Sequence, residues 1–270
     1  MTPQANATSG LGADKRRIGK TVYDALINGT APEQCLLETK FGWLLPSSSS
    51  LAGAGVELIG AQDREHQLRR VLEPLKEKFD YIFVDCPPSL ELLTLNGLCA
   101  ADGILVPVQC EYYALEGLSD LMATLRAVKR RVNPALDIYG VVLTMYDGRT
   151  NFSAQVAQEV RRHFPGKVFH TMVPRNVRLA EAPSHGLPVG AYDRFSRGAV
   201  AYGALADEIV EKGMNAMAQQ RGWAGAWAPA WRLQSGPGGG RNPPPAAPCS
   251  GWSQTRINPA GILMKRSYRP

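Results

Sequence analysis

The sequence predicts a doubly wound α/β domain built on a mostly parallel sheet. Continuous apolar strands alternate with helical segments from about residue 17 to residue 213, a pattern that implies a sheet covered on both faces. The run Tyr81-Ile82-Phe83-Val84 ends in the carboxylate of Asp85 and turns at once at Pro87-Pro88. Open α/β sheets gather their functional groups at such carboxyl ends of strands. The third observation is a loss of periodicity in residues 220–270, where Gly236-Pro237-Gly238-Gly239-Gly240 and Pro243-Pro244-Pro245 stand.

Taken in order, Ile18 to Ile27 has helical spacing, with Val22, Ala25 and Leu26 on one face. Leu44-Leu45-Pro46 reads as a short strand, and Ser47 to Ser50 as a loop without chemistry. Residues 62–78 read as one amphipathic helix, because Leu68, Val71, Leu72 and Leu75 make a stripe among Arg64, Glu65, Arg69, Arg70, Glu73, Lys76 and Glu77. The strand Tyr81–Val84 and a helix over 89–99 follow. Next come the strand Gly103–Val108, a helix over 116–131, the strand Tyr139–Thr144 and a helix over 153–163. The strand Val168–Met172 and a helix over 196–213 close the domain. Residues 1–213 thus form the α/β domain, and 214–270 a disordered Gly/Pro/Arg-rich tail.

No run approaches the ~18 apolar residues of a membrane span. The first residues show neither the basic nor the apolar stretch of a secretory signal. The cysteines (Cys35, Cys86, Cys99, Cys110 and Cys249) are scattered without a C-x-x-C pair, which argues against disulfides and zinc and for a reducing, cytoplasmic setting. His66, His163, His170 and His185 share no metal-ligand spacing. The net charge of +6 belongs to the tail, since residues 221–270 hold seven Lys and Arg and no acid. The remainder carries 23 basic against 24 acidic residues, so nucleic-acid contacts by the domain would need local clusters.

Gly19-Lys20-Thr21 imitates the end of a phosphate-binding loop. Such a loop needs G-x-x-x-x-G-K-[ST] behind a buried strand, so that successive backbone N–H groups wrap the phosphates. Asp14 stands where the first glycine belongs, and no strand precedes it, so this is an ordinary helix start.

Four segments carry a more specific signal. They are Pro3-Gln4-Ala5-Asn6-Ala7-Thr8-Ser9-Gly10-Leu11-Gly12, Phe79 to Leu90, Gln109-Cys110-Glu111-Tyr112-Tyr113-Ala114-Leu115-Glu116-Gly117, and Pro174-Arg175-Asn176-Val177-Arg178-Leu179-Ala180-Glu181-Ala182-Pro183-Ser184. Together they closely resemble the ParA/Soj family of chromosome and plasmid partition ATPases, over roughly Pro3 to Glu211. The resemblance implies a domain of the deviant P-loop type. It also implies ATP and Mg²⁺ as cofactors, a ParB-type centromere-binding partner, non-specific DNA binding, a homodimer and a nucleoid-associated place in the cytoplasm.

By the same resemblance, Asp85 faces the metal, while Met145, Pro174, Arg175 and Asn176 flank the base. Arg149 and Arg178 grip DNA phosphates, a contact that is salt-sensitive and needs no base readout. The family's catalytic Asp falls on Thr2, and the family's first Gly in this motif on Ala5, so no catalytic residue is assigned. The family's first β-α-β unit, with its phosphate loop, has no counterpart in these residues. Tyr81–Val84 is therefore expected to show an unpaired sheet edge. A rival reading is a non-catalytic remnant or binding module that has lost ATP binding and hydrolysis but keeps DNA or partner contacts. A septum-positioning relative would need a C-terminal amphipathic helix that residues 214–270 do not supply.

Overall fold

The computed structural model describes residues 1–87, 89, 91–111, 114–220 and 261–265, with 114–117, 119, 217–220 and 261–265 described by backbone alone. A short helix α1 (Asn6–Gly10) comes first, and α2 (Val22–Ile27) follows. Thr21 caps α2. Its hydroxyl accepts from the Tyr23 N–H, and the Asp24 carboxylate accepts from the Thr21 N–H at 2.8 Å. This reciprocal cap settles Gly19-Lys20-Thr21 as a helix start.

After α3 (Pro32–Cys35), a hairpin of β1 (Leu37–Thr39) and β2 (Gly42–Leu44) stands apart from the main sheet. The strand expected at Leu44–Pro46 thus lies two residues earlier and has a partner. Helix α4 (Leu51–Glu57) follows the serine loop and buries Leu51 and Ala54.

The single helix expected over 62–78 is broken into a 3-10 turn at Arg64–His66, α5 (Gln67–Leu72) and a second 3-10 turn at Glu73–Leu75. Pro74 lacks the N–H a continuous helix needs and ends α5 there. The apolar stripe survives the break, and Leu68, Leu72 and Leu75 are all buried.

From here strands and helices alternate as expected: β3 (Tyr81–Val84), α6 (Leu92–Ala100), β4 (Gly103–Gln109), α7 (Ala114–Arg131), β5 (Asp137–Tyr146), α8 (Asn151–His163) and β6 (Val168–Pro174). Strands β4, β5 and β6 are parallel neighbours, with Gly103 opposite Asp137 and Gln109 opposite Thr144. Two short helices, α9 (Val177–Glu181) and α10 (Val189–Tyr192), lead into α11 (Arg197–Gln220).

Alternate residues of the strands feed two cores, as the pleat requires. Val106, Val108, Val141 and Leu143 pack on one face with Leu68, Leu98, Leu125 and Val160. Leu105, Val142, Phe169 and Val173 pack on the other against Leu205 and Ile209 of α11.

The sequence reading closes the domain at residue 213, whereas α11 continues to Gln220. Within the stretch read as a disordered tail, β7 (Gly261–Lys265) is a strand of the main sheet, whose order is β3-β7-β4-β5-β6. An apolar triplet inside a Gly/Pro-rich context shows no period by itself, which is why only the sheet reveals it. Residues 221–260 and 266–270 lie outside the described residues.

Two buried amides tie loops to the core. Asn96 accepts from the Leu68 N–H at 3.0 Å and donates to the Arg64 and Leu92 carbonyls at 2.8 and 3.0 Å. Asn133 donates to the carbonyls of Leu98, Cys99 and Ala101 at 3.0, 3.3 and 2.8 Å, and so closes the carboxyl end of α6. Asn133→Ala strands those buried carbonyls. It is expected to destabilise the chain by about 1–3 kcal/mol, read as a lowered denaturation midpoint.

Candidate functional site

The carboxyl ends of β3, β4, β5 and β6 lie along one rim of the sheet, the edge where open α/β sheets bind ligands. At β3 the buried Val84 delivers Asp85 and Cys86 to that rim. The Asp85 carbonyl accepts from the Met1 ammonium at 2.5 Å. Burial raises the Asp85 carboxyl above the usual carboxylate range, and the ammonium opposes that shift. The same burial lowers the Met1 amine. It also pushes the Cys86 thiol up to about 11, so Cys86 is a neutral thiol near pH 7 and no nucleophile.

At the end of β4, the Cys110 N–H donates to the Thr144 carbonyl at 2.9 Å and carries the β4–β5 ladder one residue further. Glu111 then reaches across to Arg175, with 2.6 Å between Oε1 and Nη2. At the end of β5, Met145 holds the left-handed φ of 54° in a register shift between Leu143 and Tyr146. A side chain in that region costs on the order of 1 kcal/mol, and such outliers collect at ligand sites.

Tyr146 stands opposite Pro174, and the Arg175 N–H donates to the Tyr146 carbonyl at 3.1 Å. Asn176 caps α9 by accepting from the Arg178 N–H at 2.9 Å. The structure therefore brings Met145, Pro174, Arg175 and Asn176 into one cluster. Asp85 stands apart. Three strand spacings separate β3 from β5, roughly 14 Å, and a fourth to β6 makes it roughly 19 Å. A ligand touching both ends must be extended.

The two arginines expected at DNA are exposed and already paired. Arg149 makes a fork to Asp147, Nε–Oδ1 at 2.9 Å and Nη2–Oδ2 at 2.7 Å. That fork holds the Asp147 carboxyl well below its ordinary range. Arg178 reaches Glu181 at 2.8 Å and Asp193 at 3.4 Å. Solvated pairs like these are weak enough to be exchanged for phosphate.

The amino-terminal segment is built into the domain. Thr2 is buried, and its carbonyl accepts from the Ser47 hydroxyl at 2.9 Å. The Ser47 N–H donates to the Thr8 hydroxyl at 3.0 Å. Ala5 is buried at a φ of 54°, a conformation that glycine adopts more cheaply. Gly12 (φ 79°) and Gly186 (φ 62°) meet so closely that a Cβ on Gly12 would stand 3.0 Å from the Gly186 carbonyl.

Several of these pairings escaped the sequence reading. Ser47, Thr8, Glu111 and Gly186 act across long sequence separations, and only Asp147, in the turn Tyr146-Asp147-Gly148, offers a local signal. Among the described residues no three His, Cys, Asp or Glu side chains gather as metal ligands, and no helix is long and apolar enough to cross a membrane.

Residues 1–138 match a family model described as an AAA domain. The sporulation initiation inhibitor protein Soj of Bacillus subtilis is 50% identical over 215 residues, covering 79% of this chain and 85% of that protein. The chain belongs to the ParA/Soj family of partition ATPases. The chromosome partitioning protein ParA of Myxococcus xanthus is 49% identical over 214 residues, 78% of this chain and 76% of its own length.

Solved structures agree on a P-loop ATPase fold. Cobyrinic acid a,c-diamide synthase from Mycobacterium smegmatis, with bound ADP and magnesium, matches at a TM-score of 0.66 and 35% identity, over 77% of this chain and 78% of that one. The cell division ATPase MinD of Pyrococcus furiosus matches at 0.62 and 26%, over 77% and 81%.

The close approach at Gly12 generates a test of how this family member seats its amino-terminal segment. Gly12→Ala places a Cβ against the Gly186 carbonyl at a φ unsuited to alanine. It is expected to destabilise the domain by about 1–2 kcal/mol in denaturant titration, with Gly10→Ala, whose Cβ would meet open space, as the comparison.

Proposed function

We propose that this chain serves chromosome or plasmid partition as a family member that recognises the adenosine side of ATP and grips DNA without reading sequence, together with a ParB-type partner. The observation that carries the nucleotide half is the cluster at the ends of β5 and β6. Met145 is held at φ 54°, Pro174 stands opposite Tyr146, and Arg175 and Asn176 follow. Met145 and Pro174 offer apolar surface to a base, while Arg175 and Asn176 offer polar edges.

Mg²⁺ keeps most of its waters and is usually held by one or two carboxylates plus the phosphates of its nucleotide, so a lone carboxylate fits it and an all-protein cage is not required. Asp85 would take that part. The metal would neutralise phosphate charge, while this chain's own rim orients the base and Asp85 accepts hydrogen bonds from metal-bound water. Asp85 must be ionised to do so, and bound cation would offset the burial that now raises its carboxyl.

A second reading is favoured by specific observations. By the resemblance to the family, Thr2 stands at the catalytic Asp position. A threonine hydroxyl accepts no proton near pH 7. On that reading the 270-residue chain binds DNA and partner without turning over ATP.

DNA binding separates the two. Fluorescence anisotropy with a random-sequence duplex, at about 50 and 200 mM salt, is expected to show affinity falling steeply with salt and indifferent to sequence. Arg149→Ala with Arg178→Ala is expected to lower the slope of log affinity against log salt by about 1 for each phosphate no longer neutralised. Tightening by Mg·ATP supports the nucleotide-driven reading, and binding unmoved by Mg·ATP supports the second. A double variant with an unchanged slope rules these arginines out.

A further inference from the structure

We propose that Phe195 is a wedge that enters a DNA duplex beside the phosphate contact proposed for Arg178 and pries apart one base step, with the guanidinium of Arg194 carried on its ring. The inference rests on the DNA reading of Arg178. It adds a side chain that touches bases without reading their sequence.

Phe195 is 80% exposed, more than any other large apolar side chain among the described residues. A single exposed apolar residue is ordinary, so the setting of the ring decides its meaning. The ring stands on a turn held by hydrogen bonds. The Phe195 N–H donates to Asp193 Oδ1 at 3.2 Å, and the Ser196 N–H and hydroxyl both donate to the Asp193 carbonyl, at 3.2 and 2.8 Å. The Ser196 hydroxyl in turn accepts from the Ala199 N–H at 3.2 Å and so caps α11. A backbone pinned on both sides presents the ring with little left to order on binding.

The same Asp193 carboxylate ties the turn to Arg178. Its Oδ2 lies 3.4 Å from Arg178 Nε while its Oδ1 holds Phe195. Helices α9 and α11 meet here, since a Cβ on Gly198 would stand 2.7 Å from Leu179 Cγ. Arg194 and Arg197 are exposed and, unlike Arg178, make no ion pair among the described residues. Val177, next to Arg178, and Val200, in the first turn of α11, are exposed as well. Three cations therefore surround one projecting ring.

Arg194 lies over one face of that ring, with Cζ 4.7 Å from the centroid. The pair combines a charge attracted to phosphate with an apolar face that can stack on a base. Single-strand binders offer several aromatic platforms in a row. Here the neighbouring aromatic, Tyr192, already stacks on His185 with ring centroids 4.9 Å apart. A lone ring flanked by arginines has the make-up of the apolar wedges that unstack a step from the minor groove and kink the duplex.

Anisotropy and 2-aminopurine fluorescence on one labelled duplex, at about 50 and 200 mM salt, test this with the full chain. Binding of the unaltered chain is expected to brighten 2-aminopurine as a step unstacks. Phe195→Ala should abolish the brightening and weaken binding about tenfold at both salts, because an apolar contact releases no counterions. Phe195→Leu, still an apolar wedge, should keep part of the brightening. Arg194→Ala should instead lower the slope of log affinity against log salt by about 1.

No brightening by the unaltered chain, or an affinity that Phe195→Ala leaves unchanged, overturns the wedge. So does a Phe195→Ala loss that vanishes at the higher salt. If that variant dissociates a self-associated species while its DNA affinity holds, the ring belongs to a second copy and the proposal fails. A chain that binds no duplex even at the lower salt removes the DNA reading of Arg178 and the wedge together. Binding that survives Phe195→Ala intact removes the wedge alone.

Discussion

Every backbone group in the middle of a sheet needs a partner, and that requirement organises this domain. Strand β4 satisfies it on one side with β5 from Gly103 to Gln109, through a register shift between Ile104 and Leu105, and on the other with β7 as far as Leu105. The β4–β5–β6 ladder sets the direction of the strand ends, and those ends make the rim on which the candidate site stands. The two cores follow from the same ladder, because the pleat sends Val106 and Leu143 to one face and Leu105 and Val142 to the other. Strand β3 is the exception. It carries Asp85, yet its ladder connection to the sheet runs through β7.

The rim divides into two parts with different physical character. On the β5–β6 side, bulge, strained Met145 and the Arg175–Tyr146 hydrogen bond fix the backbone tightly, so a planar ligand would meet a preformed surface. On the β3 side, Asp85 sits in a half-buried place where its charge is disfavoured and the Met1 ammonium is the opposing charge. A cation brought there would meet a carboxylate whose ionisation it favours. The surface arginines differ again. Each is neutralised by an acid close in sequence, Asp147 for Arg149 and Glu181 for Arg178, and water competes with both pairs. Phosphates of a duplex would replace those acids rather than meet bare cations.

Much of this was legible in the residues. Tyr81–Val84 ending in Asp85, the periodic strands and helices from Gly103 to His163, and Gly19-Lys20-Thr21 as a helix start are local patterns, and the structure has them at or within a few residues of the expected places. Met145, Pro174, Arg175 and Asn176 were found through their motifs and do come together. Pro74 was visible, yet the stripe around it suggested one helix where there are three short pieces, because the apolar period outlasts the hydrogen-bond pattern.

The sequence by itself determined the fold class, the family and the succession along the chain of the strands that end at the rim, since these rest on periodicity and short motifs. Tertiary structure alone decided the place of Gly261–Lys265, the pairing of Glu111 with Arg175, and the docking of Gly12 on Gly186. Each of those joins residues far apart in the chain, and a pairing of that kind leaves no period in the sequence between them. An apolar triplet in a Gly/Pro-rich stretch becomes a central strand only where two other strands stand one strand's width too far apart to bond each other.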